Sequence, residues 1–161
     1  MRRPPPGGAL PSALRMLSRR ALSEGEIRFR LAAKGFPQEQ AEEALGRLRE
    51  LGLVDDRSLC ESLARGYRDV RRLGPRRIAG ALLLRKFPRD MVERAVRAVS
   101  LPEEELAAAS AALGRKFRGA IPGGREGAAK AFRFLSGRGF SPGTCRQAIR
   151  GLSDDISEGE G

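Results

Sequence analysis

One phrase is written three times in this chain, and it constrains the fold more than anything else in the sequence. A cation, then Gly or Lys, then Phe recurs as Lys34-Gly35-Phe36, Arg85-Lys86-Phe87 and Arg138-Gly139-Phe140, with Pro37, Pro88 and Pro142 close behind. The flanks agree as well. Nine and five residues before each phenylalanine stand Ile27 and Leu31, Ile78 and Leu82, and Ala131 and Leu135. Five, eight, nine and twelve residues after it stand Ala41, Ala44, Leu45 and Leu48; Val92, Ala95, Val96 and Val99; and Cys145, Ala148, Ile149 and Leu152. Steps of three, one and three place four side chains on one face of a 3.6-residue helix. Each copy therefore reads as helix, Phe turn, helix, and the whole as an internal repeat.

Copies of about 45 residues are near the lower limit for a self-sufficient core, so neighbouring copies are expected to share apolar surface. Punctuation supplies the boundaries. Residues 1–11 are rich in Pro and Gly and are expected to be disordered. Repeat 1 covers 12–54, with a short helix from Ser12 marked by Leu14 and Leu17, a second helix opened by the capping-box phrase Ser23-Glu24-Gly25-Glu26, and a third begun at Pro37. Repeat 2 covers 55–101. It opens on the cap residues Asp55-Asp56, with a helix through Leu59, Leu63, Tyr67 and Val70 that Gly74-Pro75 ends. Repeat 3 covers 102–152, opening on Pro102 and three glutamates, and residues 153–161 are expected to form a disordered acidic tail. Strand signals are essentially missing, so the fold class is all-α, three tandem three-helix repeats.

Charge narrows the partners. The chain carries 31 Lys and Arg against 20 Asp and Glu, a formal +11, and residues 12–152 alone carry +13. That excess points to an anionic partner, although a GC-rich coding sequence also inflates arginine. Cys60 and Cys145 stand singly inside helical patterns, which suits structural thiols in a reducing compartment. Without a long apolar run or the apolar core of a signal peptide, the chain is expected to be cytoplasmic, with no membrane association.

Catalysis finds little support. Histidine is absent, the cysteines are unpaired, and no Gly-rich phosphate loop precedes a helix. Asp55-Asp56 is the obvious carboxylate pair, and at a helix start it reads as a cap. No segment supplies the convergent oxygens of a cation cage. Neither metal nor cofactor is expected, and the chain reads as a non-enzyme.

The cations form clusters, Arg15, Arg19 and Arg20; Arg28, Arg30 and Lys34; Arg115, Lys116 and Arg118; and Arg133, Arg138, Arg146 and Arg150, while Arg71 and Arg72 stand at ease at a helix C-terminus. Each alone reads as a solvated helix face, but the clusters recur in all three copies. Gly74-Pro75-Arg76-Arg77 differs in kind. Two guanidiniums in the first turn of a helix oppose its dipole at about 0.3–1 kcal/mol each, and free N–H groups there would make an anion site. In Lys130-Ala131-Phe132-Arg133-Phe134, cations interleave with aromatics as on a base-stacking surface. Both phenylalanines nevertheless fit an apolar stripe, and the core reading is preferred.

Four phrases in order carry a resemblance: Arg19-Arg20-Ala21-Leu22-Ser23-Glu24-Gly25-Glu26-Ile27, Gly52-Leu53-Val54-Asp55-Asp56, Gly74-Pro75-Arg76-Arg77-Ile78 and Arg133-Phe134-Leu135-Ser136-Gly137-Arg138-Gly139-Phe140-Ser141. Over residues 12–152 the chain resembles RecX, the family of bacterial regulators of the RecA recombinase. The resemblance implies an elongated, curved helical module that binds in the groove of a RecA filament on single-stranded DNA. It also implies that this binding lowers ATP hydrolysis and strand exchange. On that reading the filament- and DNA-binding residues are the sixteen cations Arg19, Arg20, Arg28, Arg30, Lys34, Arg71, Arg72, Arg76, Arg77, Arg85, Lys86, Arg115, Lys116, Arg133, Arg138 and Arg146, on a monomer. Two alternatives stay open: a helical module that binds DNA directly, and a structural adaptor whose apolar faces hold another protein.

Overall fold

The structure, a computed structural model, describes residues 6–118 and 120–158, with side chains as far as Ser153. Nine helices and no strand are found among them: α1 (Ala9–Leu17), α2 (Glu24–Ala33), α3 (Gln38–Glu50), α4 (Asp56–Asp69), α5 (Pro75–Leu84), α6 (Arg89–Val99), α7 (Pro102–Phe117), α8 (Gly124–Gly137) and α9 (Pro142–Glu158). The chain groups into two compact units, residues 1–61 with 82–92, and residues 62–81 with 93–161. In the first, α1, α2 and α3 pack on one another; in the second, α7, α8 and α9 do.

The repeated apolar positions form the core because the turn between the second and third helix is built identically each time. The Phe36 N–H donates to the Leu31 carbonyl at 3.1 Å, Phe87 to Leu82 at 3.4 Å and Phe140 to Leu135 at 3.3 Å. The residue before each phenylalanine is left-handed, with φ 89° at Gly35, 60° at Lys86 and 92° at Gly139. That conformation is free for glycine and costs about 1–2 kcal/mol for another residue. Lys86 is the exception, and its ammonium sits 4.3 Å from the centroid of the Phe29 ring, a contact that offsets part of the cost. All three phenylalanines are buried, together with Ile27, Leu31, Ile78, Leu82, Ala131 and Leu135 before them and the fifth and eighth positions after them.

The helix starts follow the cap chemistry. The Ser23 hydroxyl accepts the Glu26 N–H while the Glu26 carboxylate accepts the Ser23 N–H, a complete capping box. Asp55 caps its own helix by accepting the Ser58 N–H at 3.0 Å. Asp56 does something else, accepting the Glu24 N–H at 2.9 Å and so tying α4 to the start of α2.

Three expectations need correction. Residues Ala9–Pro11, assigned to a disordered segment, already belong to α1, and its buried face is Ala9, Ser12, Ala13 and Met16, while Leu14 is exposed. Pro11 lies in the first turn, where its missing N–H costs nothing, and small side chains let α1 approach its neighbours closely. The rest of the expected N-terminal segment, residues 1–5, lies outside the described residues. In α4 the buried stripe is Cys60 and Ala64, and Val70 is 74% exposed. At the other end α9 continues through Ser153 to Glu158, because no Gly or Pro stands there to stop it and extending an existing helix is cheap. Residues 159–161 of the expected tail lie outside the described residues.

The burial of Phe87 sets the first prediction. Phe87→Ala should destabilise the protein by about 3–5 kcal/mol, the range for a buried phenylalanine, read as a shift of the urea midpoint at unchanged slope. An unchanged midpoint would show that the Phe turn is not a core element.

Candidate anion-binding interface

The same docking arrangement occurs once in each unit, one copy apart. In the first unit the start of α2 lies on the turn Arg85-Lys86-Phe87: the Ser23 hydroxyl donates to the Arg85 carbonyl, and Gly25 lies so close to the Lys86 backbone that a Cβ would overlap it. In the second, the start of α5 lies on Arg138-Gly139-Phe140: the Gly74 N–H donates to the Arg138 carbonyl at 2.8 Å and the Arg76 N–H to the Gly139 carbonyl at 3.3 Å. A Cβ on Gly74 would overlap the backbone of Gly139 and Phe140. Counted from the phenylalanine of its own copy, Ser23 corresponds to Gly74 and Glu26 to Arg77; Arg85 likewise corresponds to Arg138.

That geometry overturns one expectation. The N–H groups at the start of α5, expected to be free for an anion, are used within the protein: Arg76 donates to Gly139 and Arg77 to Gly74 at 3.1 Å. The guanidiniums of Arg76 and Arg77 remain exposed. Whatever anion they meet is met by side chains alone.

The two docking sites differ in charge. At the first, the Arg85 guanidinium donates to both oxygens of Glu26 at 2.9 and 3.0 Å and to the Ala21 carbonyl at 2.8 Å, and Arg20 donates to the same carboxylate at 2.9 Å. Burial pushes the Glu26 carboxyl up, but the bonds from Arg85, the Ser23 N–H and Arg20 outweigh it and hold the group below the ordinary carboxylate value. At the second, Arg138 donates to the carbonyls of Arg72, at 3.1 Å, and Arg71. In place of Glu26 stands Arg77. Burial, followed by repulsion from Arg77, Arg115 and Arg72, lowers the affinity of Arg138 for its proton.

The predicted cations thus divide. Arg20 and Arg85 are spent on Glu26. Arg28 pairs with Glu42 and lies 3.5 Å from Glu24, which Arg49 also holds at 2.6 Å. Arg19, Arg30 and Lys34 line a cleft of about 460 Å³ in the first unit together with Arg15, Ser12 and Met16. Arg71, Arg72, Arg115, Lys116 and Arg138 line another, of about 390 Å³, in the second unit, with Val70, Ala112 and Phe134. Arg133 and Arg146 are exposed on α8 and α9, outside the residues that line it.

Two participants escaped sequence reasoning. Glu26 reads as a capping residue, and its second task, neutralising Arg85, is visible only once the copies are docked. Phe134 fits the core stripe, and it does pack partly against the second core. Its ring also carries Lys116 at 5.8 Å and Arg138 at 5.4 Å, which aims both cations. The alternation of cation and aromatic in residues 130–134 was the available signal. Both cysteines are free and buried. Burial, with Asp56 and Glu61 nearby, pushes the Cys60 thiol up to about 11, and burial raises that of Cys145. Among the described residues no group of three or more His, Cys, Asp or Glu could hold a metal ion, and no helix is long and apolar enough to cross a membrane.

Fold and site together define a tandem helical-repeat protein with cation-lined clefts, and comparison with known proteins makes the class specific. Residues 9–48 match the first three-helix domain of RecX and residues 103–149 the third. The chain is 40% identical over 151 residues to a regulatory protein RecX of Thermus thermophilus, covering 94% of this chain and 96% of that one. To RecX of Deinococcus radiodurans it is 32% identical over 142 residues, covering 88% and 67%. The crystal structure of RecX from Lactobacillus salivarius superimposes with a TM-score of 0.77 at 20% identity, over 90% of this chain and 94% of that one, which shows a shared fold. The chain belongs to the RecX family of regulatory proteins.

Glu26 sets a pH-dependent prediction. Its folded-state pKa is depressed, so its contribution is complete above the unfolded value near 4.5 and disappears as pH falls through the lower folded value. Glu26→Gln should cost about 1–3 kcal/mol at neutral pH, the range for a lost charge-assisted bond. Its gap from the parent should shrink on acidification below about pH 4. Parallel denaturation curves at several pH values check this, and a gap independent of pH would remove the ion pair from the account.

Proposed function

We propose that this chain is a non-enzymatic, cytoplasmic regulator that binds the RecA filament on single-stranded DNA in its groove and lowers its ATP hydrolysis and strand exchange, so modulating recombination and repair. Membership of the RecX family supports a regulatory role. The observation that carries the binding step is the pair of clefts whose cations meet no carboxylate among the described residues that line them. A filament groove presents phosphate and acidic protein groups together, and several weak ionic contacts made at once give useful affinity. Of the sixteen candidates, Arg19, Arg30, Lys34, Arg71, Arg72, Arg76, Arg77, Arg115, Lys116, Arg133 and Arg146 are the ones available for this, since Arg138 is held by the Arg71 and Arg72 carbonyls and Lys86 lies over the Phe29 ring. Arg20, Arg28 and Arg85 serve the fold.

The direct test is the DNA-dependent ATP hydrolysis of RecA with and without the protein. Inhibition is expected, and it should weaken as salt rises. Replacing both Arg76 and Arg77 by Glu should leave the fold intact or slightly steadier, since two cations at a helix start become two acids, and inhibition should fall sharply. A double variant that inhibits like the parent would make these arginines a solvated face. No effect of the parent itself on ATP hydrolysis would overturn the proposal.

A further inference from the structure

The docking arrangement leaves one end of the repeat open and covers the other. At both docking sites the cation of the Phe turn donates to the carbonyl fifteen residues before the preceding copy's phenylalanine, Arg85 to Ala21 at 2.8 Å and Arg138 to Arg72 at 3.1 Å. The residue thirteen before that phenylalanine, Ser23 or Gly74, donates in return to the carbonyl of the same cation. Lys34 is the turn cation of the first copy, and no copy in this sequence comes before it. Among the described residues no hydrogen bond reaches the Lys34 or Gly35 carbonyl, and Lys34 is exposed. Arg30 and Lys34 hold the positions of Phe134 and Arg138 in their own copy. Val70, Arg71 and Arg72 of the preceding copy complete the cleft of Arg138, whereas every residue lining the cleft of Lys34 comes from the first copy.

The third copy shows the opposite condition. Its equivalents of Ala21 and Ser23 are Arg125 and Gly127, and both are taken. Arg125 lies inside α8, where its carbonyl belongs to the helix ladder. A Cβ on Gly127 would overlap the Pro122 carbonyl, as a Cβ on Gly74 would overlap the docked Gly139 and Phe140. Pro122 thus stands where a Phe turn stands at the second docking site, and Gly127 is buried as Ser23 and Gly74 are. The linker reaches because it is longer, residues 118–126 before Gly127 against 18–22 before Ser23 and 70–73 before Gly74. Gly124, at φ 80°, turns it into the helix.

We propose that residues 121–127 are a stop that keeps chains from joining head to tail. They cover the third copy's helix start, which without them docks on the Lys34-Gly35-Phe36 turn of a second copy of this chain. A second copy is the fitting occupant because the other two helix starts are already docked within their own chain. Such a contact is heterologous and does not close on itself, so chains would add one after another. Terminal caps prevent this in repeat arrays. The inference requires neither nucleic acid nor recombinase.

The test is sedimentation equilibrium of the full chain, carried to about 1 mM because docking within a chain gains an effective concentration of that order. The parent should keep the mass of one chain, 17.5 kDa. Gly127→Ser gives the third copy the residue that docks at Ser23 and displaces the Pro122 carbonyl. Deletion of residues 120–123 shortens the linker from 118–126 to the length of 18–22. Each should raise the average mass about twofold or more at the highest concentration, with helix content and a cooperative melt retained. Adding Lys34→Glu, which replaces the donor to the linker carbonyl by an acceptor, should return either variant to single chains. Mixed with the parent, that double variant should form a one-to-one dimer, since the parent offers the turn and the variant the helix start. Association that survives Lys34→Glu, or a mixture that does not pair, would overturn the turn as the seat. Folded variants that remain single chains would overturn the stop, as would a parent that already associates through Lys34. If neither variant melts cooperatively, residues 121–127 belong to the core and the inference fails.

Discussion

The fold depends on a close backbone approach between the start of one copy's second helix and the Phe turn of the next copy. Gly25 against Lys86 and Gly74 against Gly139 leave no room for a Cβ, so the contact is made by main chain and held by hydrogen bonds to the turn carbonyls. A copy of this size buries too little apolar surface to stand alone. Its neighbour's turn supplies the missing wall. This is why residues 82–92 group with the first copy and residues 62–81 with the third: the middle copy gives its turn to one unit and its second-helix start to the other.

That constraint also shapes the electrostatics. Docking a helix start on a turn that begins with Arg or Lys brings a cation beside the main chain each time, and something must meet it. At the first docking site a carboxylate does, and the pair becomes part of the fold. At the second, the carbonyls of Arg71 and Arg72, in the turn just past α4, accept from Arg138, which leaves the positive charge uncompensated. One architectural contact thus yields a structural ion pair in one unit and a cation-lined cleft in the other. The difference traces to a single position, Glu26 or Arg77.

The repeat also shows how an exception is tolerated. Two of the three turns have glycine at the left-handed position, and the third has Lys86, whose side chain finds the exposed Phe29 ring. Arg72 is a second exception, at the end of α4. The Nε of its side chain finds no partner inside the protein.

Helix positions, Phe turns and most buried residues were legible in the sequence, because they follow from local rules: a 3.6-residue period, caps, and Gly or Pro at ends. The exact limits of α1 and α9 were less legible, since Pro11 is harmless in a first turn and an acidic segment without a breaker continues a helix. Candidate cations were legible as residues, not as a site. Which of them are free depends on partners far along the chain, as Arg85 is from Glu26 at 59 residues, and periodicity says nothing about those. Sequence alone therefore determined that three similar helical copies would form and that the chain would be cationic. Only the tertiary structure decided that the α5 N–H groups are consumed, that Arg20, Arg28 and Arg85 are neutralised, and that Arg71, Arg72, Arg115 and Lys116 are left together, because docking alone sets the distances at which charges pair or repel.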